Sequence, residues 1–410
     1  MNHESCPSIQ INADIAKLCK ETQTDVTEVE HKYVQEKPST RVKGLQYEYK
    51  VPKKNAQVSC NISVIQKKVR ELSLKSNAKV LDSTVDSISS SNLDSSFSTE
   101  NTQSKTSSTD SDLKLLEKEE FKNNIYLRAT KVIIEDSPLL MIGIPSDLLY
   151  VVDLLNRETK IPVRNIYMTL KKLRQNVTYA VLGHEFGVSE SQASRIFRST
   201  ISPISKCLKQ LIFCPKRSDI LRNLPISFRF RYSEVTYIID CLEIEIEKPK
   251  NALHQAITWS SYKKCNTAKL LICVSPDGLI LFISQAYGGR ATDVEIVKNS
   301  GFLDFLPENS TILADRGFKS LESILTKKKC KIIRPPSVAE GEKSSKEEVK
   351  LTKQVASLRI HVERVIQRIR HFKFLDSHAR IKLDLLDCLD NAVTIAAALV
   401  NLQSEVIKQI

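Results

Sequence analysis

No stretch of the 410-residue chain approaches the run of about 18 apolar residues that a membrane-spanning helix requires. The first residues, MNHESCPSIQ, lack the apolar core of a secretory signal. The ten cysteines include no Cys-x-x-Cys pair, so neither a zinc finger nor a disulfide framework is indicated. Scattered thiols behave as small apolar fillers and fit a reducing compartment, the nucleus or the cytosol. The expectation is a soluble intracellular protein. What the chain has in surplus is positive charge: Lys and Arg number 61 against 48 Asp and Glu, a formal net charge of +13. Nucleic acid is the commonest partner of such a surplus, although charge alone also describes solvated surfaces.

The chain divides unevenly. Residues 1–112 are poor in core-forming side chains, and STVDSISSSNLDSSFSTENTQSKTSSTDSD (83–112) is dominated by Ser, Thr and Asp. Such a stretch buries too little apolar area to offset backbone ordering, which costs about 1–2 kcal/mol per residue, so a disordered linker is expected. Within this region Ile62, Ile65, Val69 and Leu72 are spaced like the stripe of a lone amphipathic helix.

Residues 113–215 read as helical. In VTYAVLGHEFGVSESQASRIFRS (177–199), Val181, Leu182 and Phe186 give one helix an apolar face, and Gly187 breaks it. Ser189 and Gln192 form a capping box for a second helix, with Val188, Ala193, Ile196 and Phe197 facing inward. That is the pattern of a helix-turn-helix, one that purely structural helix pairs share. If it binds DNA, Gln192 and Arg195 are expected at base edges, and Lys171, Lys172, Arg174 and Arg198 at phosphates.

Residues 225–410 alternate between strand and helix patterns. Tyr237–Asp240 opens a strand that continues to Ile246; Lys269–Val274, Leu279–Ser284, Ile312–Ala314 and Lys331–Ile333 read as four more. SPDG (275–278) is a turn by composition, and Tyr287–Arg290 is expected to break the sheet. Helices are expected over about 349–371 and 384–407. Three antiparallel strands followed by alternating helices and strands is the order of an RNase H-like fold: an α/β domain with a mixed five-stranded sheet, preceded here by a small helical domain.

Two apolar strands then carry an acid where an acid is costly, Asp240 in VTYIID and Asp315 in TILADRGFKS. In that topology the two strands are central neighbours, which would bring both carboxylates together. Paired carboxylates repel unless a cation joins them, and hard divalent Mg²⁺ or Mn²⁺ prefers oxygen ligands. Metal ions so held serve phosphodiester chemistry. Glu363, beside the apolar stripe of RIHVERVIQRIR (359–370), and Asp293, at a helix start after GGRAT, complete the candidate metal set. Each has a plainer reading: Asp240 as a turn residue, Asp315 as a helix N-cap, Asp293 as a dipole partner, Glu363 as a solvated position. Lys263 and Lys264, after Tyr262, are candidates for the DNA backbone or a solvated charge run.

These residues also resemble a known family. IDCLEIEIEKP (239–249), TWSSYKKCNTAKLLICVSPDG (258–278), YGGRATD (287–293), ILADRGF (312–318) and LRIHVERVIQRI (358–369) are similar, in order, to the motifs of DDE superfamily endonucleases of the PIF/Harbinger-like, THAP-associated type. The resemblance implies divalent-metal-dependent DNA cleavage and transfer, and nuclear localisation. Asp240, Asp315 and Glu363 match its catalytic acids, and Asp293 a further metal ligand. Relatives of this kind sometimes act with a separate DNA-binding protein, and that or a second copy of the chain is a candidate partner. The chain departs from the pattern in having Leu242 where Thr is usual and in lacking the zinc-binding C2CH spacing. Two readings follow: a transposase-derived nuclease, or a domesticated DNA-binding protein that keeps the fold without catalytic turnover.

Overall fold

A computed structural model describes residues 109–336 and 345–404. The helix expected over Ile62–Leu72 and nearly all of the Ser/Thr-rich stretch lie outside the described residues. The last four residues of that stretch open a helix, α1 (Thr109–Asp136).

After a one-turn helix at Pro138–Met141 come α2 (Val151–Thr159), α3 (Val163–Gln175), α4 (Tyr179–Phe186) and α5 (Glu190–Leu208). Their ends follow local chemistry. The Thr178 side chain accepts from the Val181 N–H to start α4, and Gly187 ends it at φ 64°, where a Cβ would be strained. Ser189 and Gln192 form the expected reciprocal capping box at α5. Leu182, Phe186, Ala193 and Phe197 are buried, whereas Val181 is 47% exposed, so the apolar face of α4 excludes it.

The sheet has five principal strands: β1 (Tyr237–Glu245), β3 (Cys265–Val274), β4 (Ile280–Ile283), β6 (Thr311–Leu313) and β7 (Lys331–Ile333). Two-residue strands β2 (Trp259–Ser260) and β5 (Tyr287–Gly288) pair with β3. The Tyr287–Arg290 segment therefore begins with a short strand before breaking away, because Tyr287 and Gly288 find free partners at Lys269 and Ala268. β1 runs antiparallel to β3 and parallel to β6, and β6 is parallel to β7. The mixed sheet and its helices have the RNase H-like arrangement expected from the sequence.

Alternation along β1 separates two apolar layers. Ile238, Leu242 and Ile244 face α9 (Lys346–Arg370) and α10 (Leu389–Asn401) in a core that continues into α2–α5. Tyr237 and Ile239 face a second cluster that includes Ile296 of α7 (Asp293–Asn299) and Leu325 of α8 (Glu322–Lys327). The helical region and the sheet thus share one core. Leu242 is fully buried in it.

Asn401 closes this core. Its carboxamide accepts from Ile280 N–H and donates to the carbonyls of Ile280 and Leu211, tying α10 to strand β4 and to the residues after α5. Asn401→Ala strands those backbone groups, and a loss of about 1–3 kcal/mol in urea unfolding is expected. An unchanged midpoint would contradict the tie.

Candidate active site

The parallel pairing of β1 with β6 sets the site. Tyr237 lies opposite Ile312 and Ile238 opposite Leu313; two residues further along each chain stand Asp240 and Asp315. Asp240 lies within β1, which runs on to Glu245, so it is not a turn residue. Its Oδ1 accepts from Cys241 N–H at 2.8 Å. Asp315 follows the end of β6 and caps a 3-10 turn, its Oδ1 accepting from Arg316 N–H at 2.7 Å. The N-cap role and the position beside Asp240 are compatible, because a carboxylate has two oxygens.

Helix α9 supplies what joins them. Arg359 reaches Asp240 Oδ2 at 3.2 Å through one terminal nitrogen and Asp315 Oδ1 at 3.3 Å through the other. Its side chain is 13% exposed, and its buried Nε has no hydrogen-bond partner among the described residues. Glu363, one helical turn on, is exposed. Burial pushes the Asp240 carboxyl up to about 6 against the lowering effects of Arg359 and the Cys241 N–H; the charges of Asp315 and Glu363 add to the rise.

Asp293 stands on the other side of the sheet. It opens α7, pairs with Lys269 at 3.4 Å and bears on the Cys241 thiol, whose side points away from that of Asp240. Its Oδ2 would lie only 2.8 Å from a Cβ at Gly317, so the turn carrying Asp315 packs directly on Asp293. The structure brings Asp240, Asp315 and Arg359 together, with Glu363 close enough to act on Asp240 by charge, and sets Asp293 apart. Among the described residues, no three His, Cys, Asp or Glu side chains form a ready-made metal site.

The helix-turn-helix residues divide similarly. Arg195 is exposed, and Gln192 is exposed while its Oε1 caps α5. Arg198 is instead committed to the Asp384 carboxylate at 2.7 Å, which fixes α5 to the segment before α10. Lys171 and Lys172 are buried because α3 is enclosed on almost every side. Lys171 pairs with Glu185 at 2.7 Å. Lys172 donates to Asn176 and the Val177 carbonyl, and burial together with the Lys382 charge pushes it down to about 8. Arg174 lies over the Phe372 ring. None of these three has the exposure that a phosphate contact needs. Lys263 and Lys264 are exposed.

Residues 239–401 match the family model described as DDE superfamily endonuclease, and residues 165–210 match the helix-turn-helix of DDE superfamily endonuclease. Residues 239–401 are thus similar to the endonuclease domain of the DDE superfamily. No curated protein and no solved structure matches the chain. The endonuclease match opens one residue before Asp240, closes at Asn401 and contains all four candidate acids and Arg359. The helix-turn-helix match covers nearly all of α3 together with α4 and α5.

Arg359 is one of four arginines in RIHVERVIQRIR, and composition alone does not distinguish it from the others. The signal that would have singled it out is its spacing: four residues before Glu363, it shares the helix face that carries the acid.

Because Asp240 is held above its ordinary 3.8, the folded protein binds more protons than the unfolded chain between about pH 4 and 6. Metal-free stability should therefore fall as pH rises through that window, by on the order of 2–3 kcal/mol at most. Urea unfolding of Asp240→Asn should lack the fall; the same slope in both proteins would contradict the assignment.

Proposed function

We propose that this protein is a transposase-derived nuclease that cleaves or transfers DNA phosphodiester bonds with divalent metal, Mg²⁺ or Mn²⁺. The observation that carries the reading is the convergence of Asp240 and Asp315 on one guanidinium, at the ends of two parallel strands and within the span of the endonuclease match. The donor set fits a hard cation: carboxylate oxygens only, beside a helix that presents a third acid, Glu363. Asp240 and Asp315 would hold the metal, with Glu363 joining them. A bound divalent cation supplies charge neutralisation at the phosphate and a nucleophilic oxygen near neutral pH.

The chain's own residues do the rest. Arg359 holds the two carboxylates at one place against their repulsion, and is the group a metal must displace. Asp293, through Lys269 and its contact with Gly317, fixes the turn that aims Asp315; it acts here by positioning rather than as a ligand. Gln192 and Arg195 on the open face of α5 meet DNA bases, and Lys263 and Lys264 its backbone. The PIF/Harbinger-like, THAP-associated type and a nuclear location accord with this reading.

One observation favours the second reading, a domesticated DNA-binding protein. Arg359 already joins two of the acids, and among the described residues no third metal-ligating side chain completes a site with them.

Thermal unfolding of the full chain across a Mn²⁺ titration separates the two. A cation that binds only the folded state stabilises it by about 2.7 kcal/mol at a hundredfold excess over Kd. The nuclease reading predicts a saturable rise for the wild type, none for Asp315→Asn, and a rise at lower metal concentration for Arg359→Gln. If all three respond alike up to millimolar metal while duplex DNA is still bound, the binder reading stands.

A further inference from the structure

The segment between β1 and β3 has surface chemistry that the metal centre does not use. Helix α6 (Ala252–Thr258) contributes no buried residue, and its apolar side chains Leu253 and Ile257 are exposed. Trp259 follows, 43% exposed, and Tyr262 is 84% exposed. The Lys263 ammonium lies 5.1 Å from the Tyr262 ring centroid, and Lys264 is exposed in a left-handed turn at φ 58°. From Lys248 to Asn266 there are four lysines and no acid.

This exposure does not come from a loosely held loop. Buried Asn266 donates to Gln255 O at 3.0 Å and Thr258 Oγ1 at 2.9 Å, and Gln255 donates to Pro249 O at 2.7 Å. Arg290 N–H donates to Ile257 O at 3.2 Å, and a Cβ at Gly288 would run into that same carbonyl. The aromatic rings are thus displayed from a backbone fastened to the sheet and to the segment that leads to Asp293.

We infer that this segment is a binding platform for unpaired DNA bases, with Trp259 and Tyr262 stacking on base faces and Lys263 and Lys264 meeting the phosphates. Exposed rings flanked by cations without acids suit a single-stranded polyanion, whose bases present π faces that a duplex keeps stacked. Another protein surface would use Leu253, Ile257 and Trp259 but would leave the segment's lysines without a counter-charge. Along β3, Asn266, the partner of Trp259, is six residues from Ile272, the partner of Asp240. That is about 20 Å, the rise of roughly six stacked nucleotides. A strand freed at the acids could reach the platform. The inference rests on the nuclease reading only for the origin of that strand; the binding itself does not require cleavage.

Trp259 is the chain's single tryptophan, so intrinsic fluorescence reports on the platform directly. The full chain would be titrated in EDTA with a twelve-residue oligothymidylate and with a blunt duplex, and binding followed in parallel by anisotropy of labelled DNA. Expected are saturable quenching by the single strand, a roughly tenfold weaker single-strand affinity in Tyr262→Ala and in the Lys263→Ala, Lys264→Ala pair, and duplex binding unchanged in Tyr262→Ala. The inference is overturned if anisotropy shows the single strand bound while Trp259 emission stays constant. It is equally overturned if neither DNA binds at the segment and sedimentation shows self-association that Leu253→Ser abolishes. Either failure leaves the metal titration of Asp240 and Asp315, and the nuclease reading, untouched.

Discussion

The span of Arg359 from Asp240 to Asp315 is the interaction on which the active end of the sheet depends. Parallel pairing of β1 with β6 forces two acids together, and burial makes the Asp240 charge costlier to carry. One guanidinium joins both, yet the Asp240 carboxyl still stands at about 6: burial and the two neighbouring acids outweigh a single positive charge. Removing Arg359 would leave acids with no compensating charge between them. Removing either acid would leave a largely buried cation half-paired, and its Nε already has no partner among the described residues. The arrangement is balanced around one cation and would accept a stronger one.

Its surroundings hold that balance in place. Arg359 is positioned because Val355, Leu358, Val362, Val365 and Ile366 seat α9 against the β1 face, while the opposite layer, through Asp293 and Gly317, supports the turn bearing Asp315. The helix-turn-helix is not hung on a separate module: Arg198 ties α5 to Asp384, and Asn401 ties α10 to β4 and to the residues after α5. Helix α5 is therefore packed into the same core as the sheet that carries the acids.

Much of this was legible in the sequence. Strand order, the capping box at Ser189, the long helix over Lys346–Arg370 and the adjacency of Asp240 and Asp315 follow from period-two and helical patterns and from cap chemistry. Other features lay out of reach. Lys171 and Lys172 read as surface cations because a sequence does not reveal that α3 is enclosed on nearly all sides, with their ammonium groups satisfied by Glu185 and by Asn176 and Val177. Arg198 looked free because its partner Asp384 is far away in the chain. Asp293 shares the charge of the other acids but not their side of the sheet, which only the alternation of Asp240 and Cys241 in the folded strand decides. Trp259 and Tyr262 fall between the first two strands, and a sequence does not reveal that their rings are left exposed there.

The most direct test of the central claim is anomalous diffraction from crystals of the full chain grown with and without Mn²⁺. The account predicts a manganese peak in contact with the carboxylates of both Asp240 and Asp315, with the Arg359 guanidinium withdrawn from at least one of them. In the metal-free crystal the guanidinium should span both acids. A fully occupied manganese elsewhere, with Arg359 still joining the two acids at high metal concentration, would contradict it.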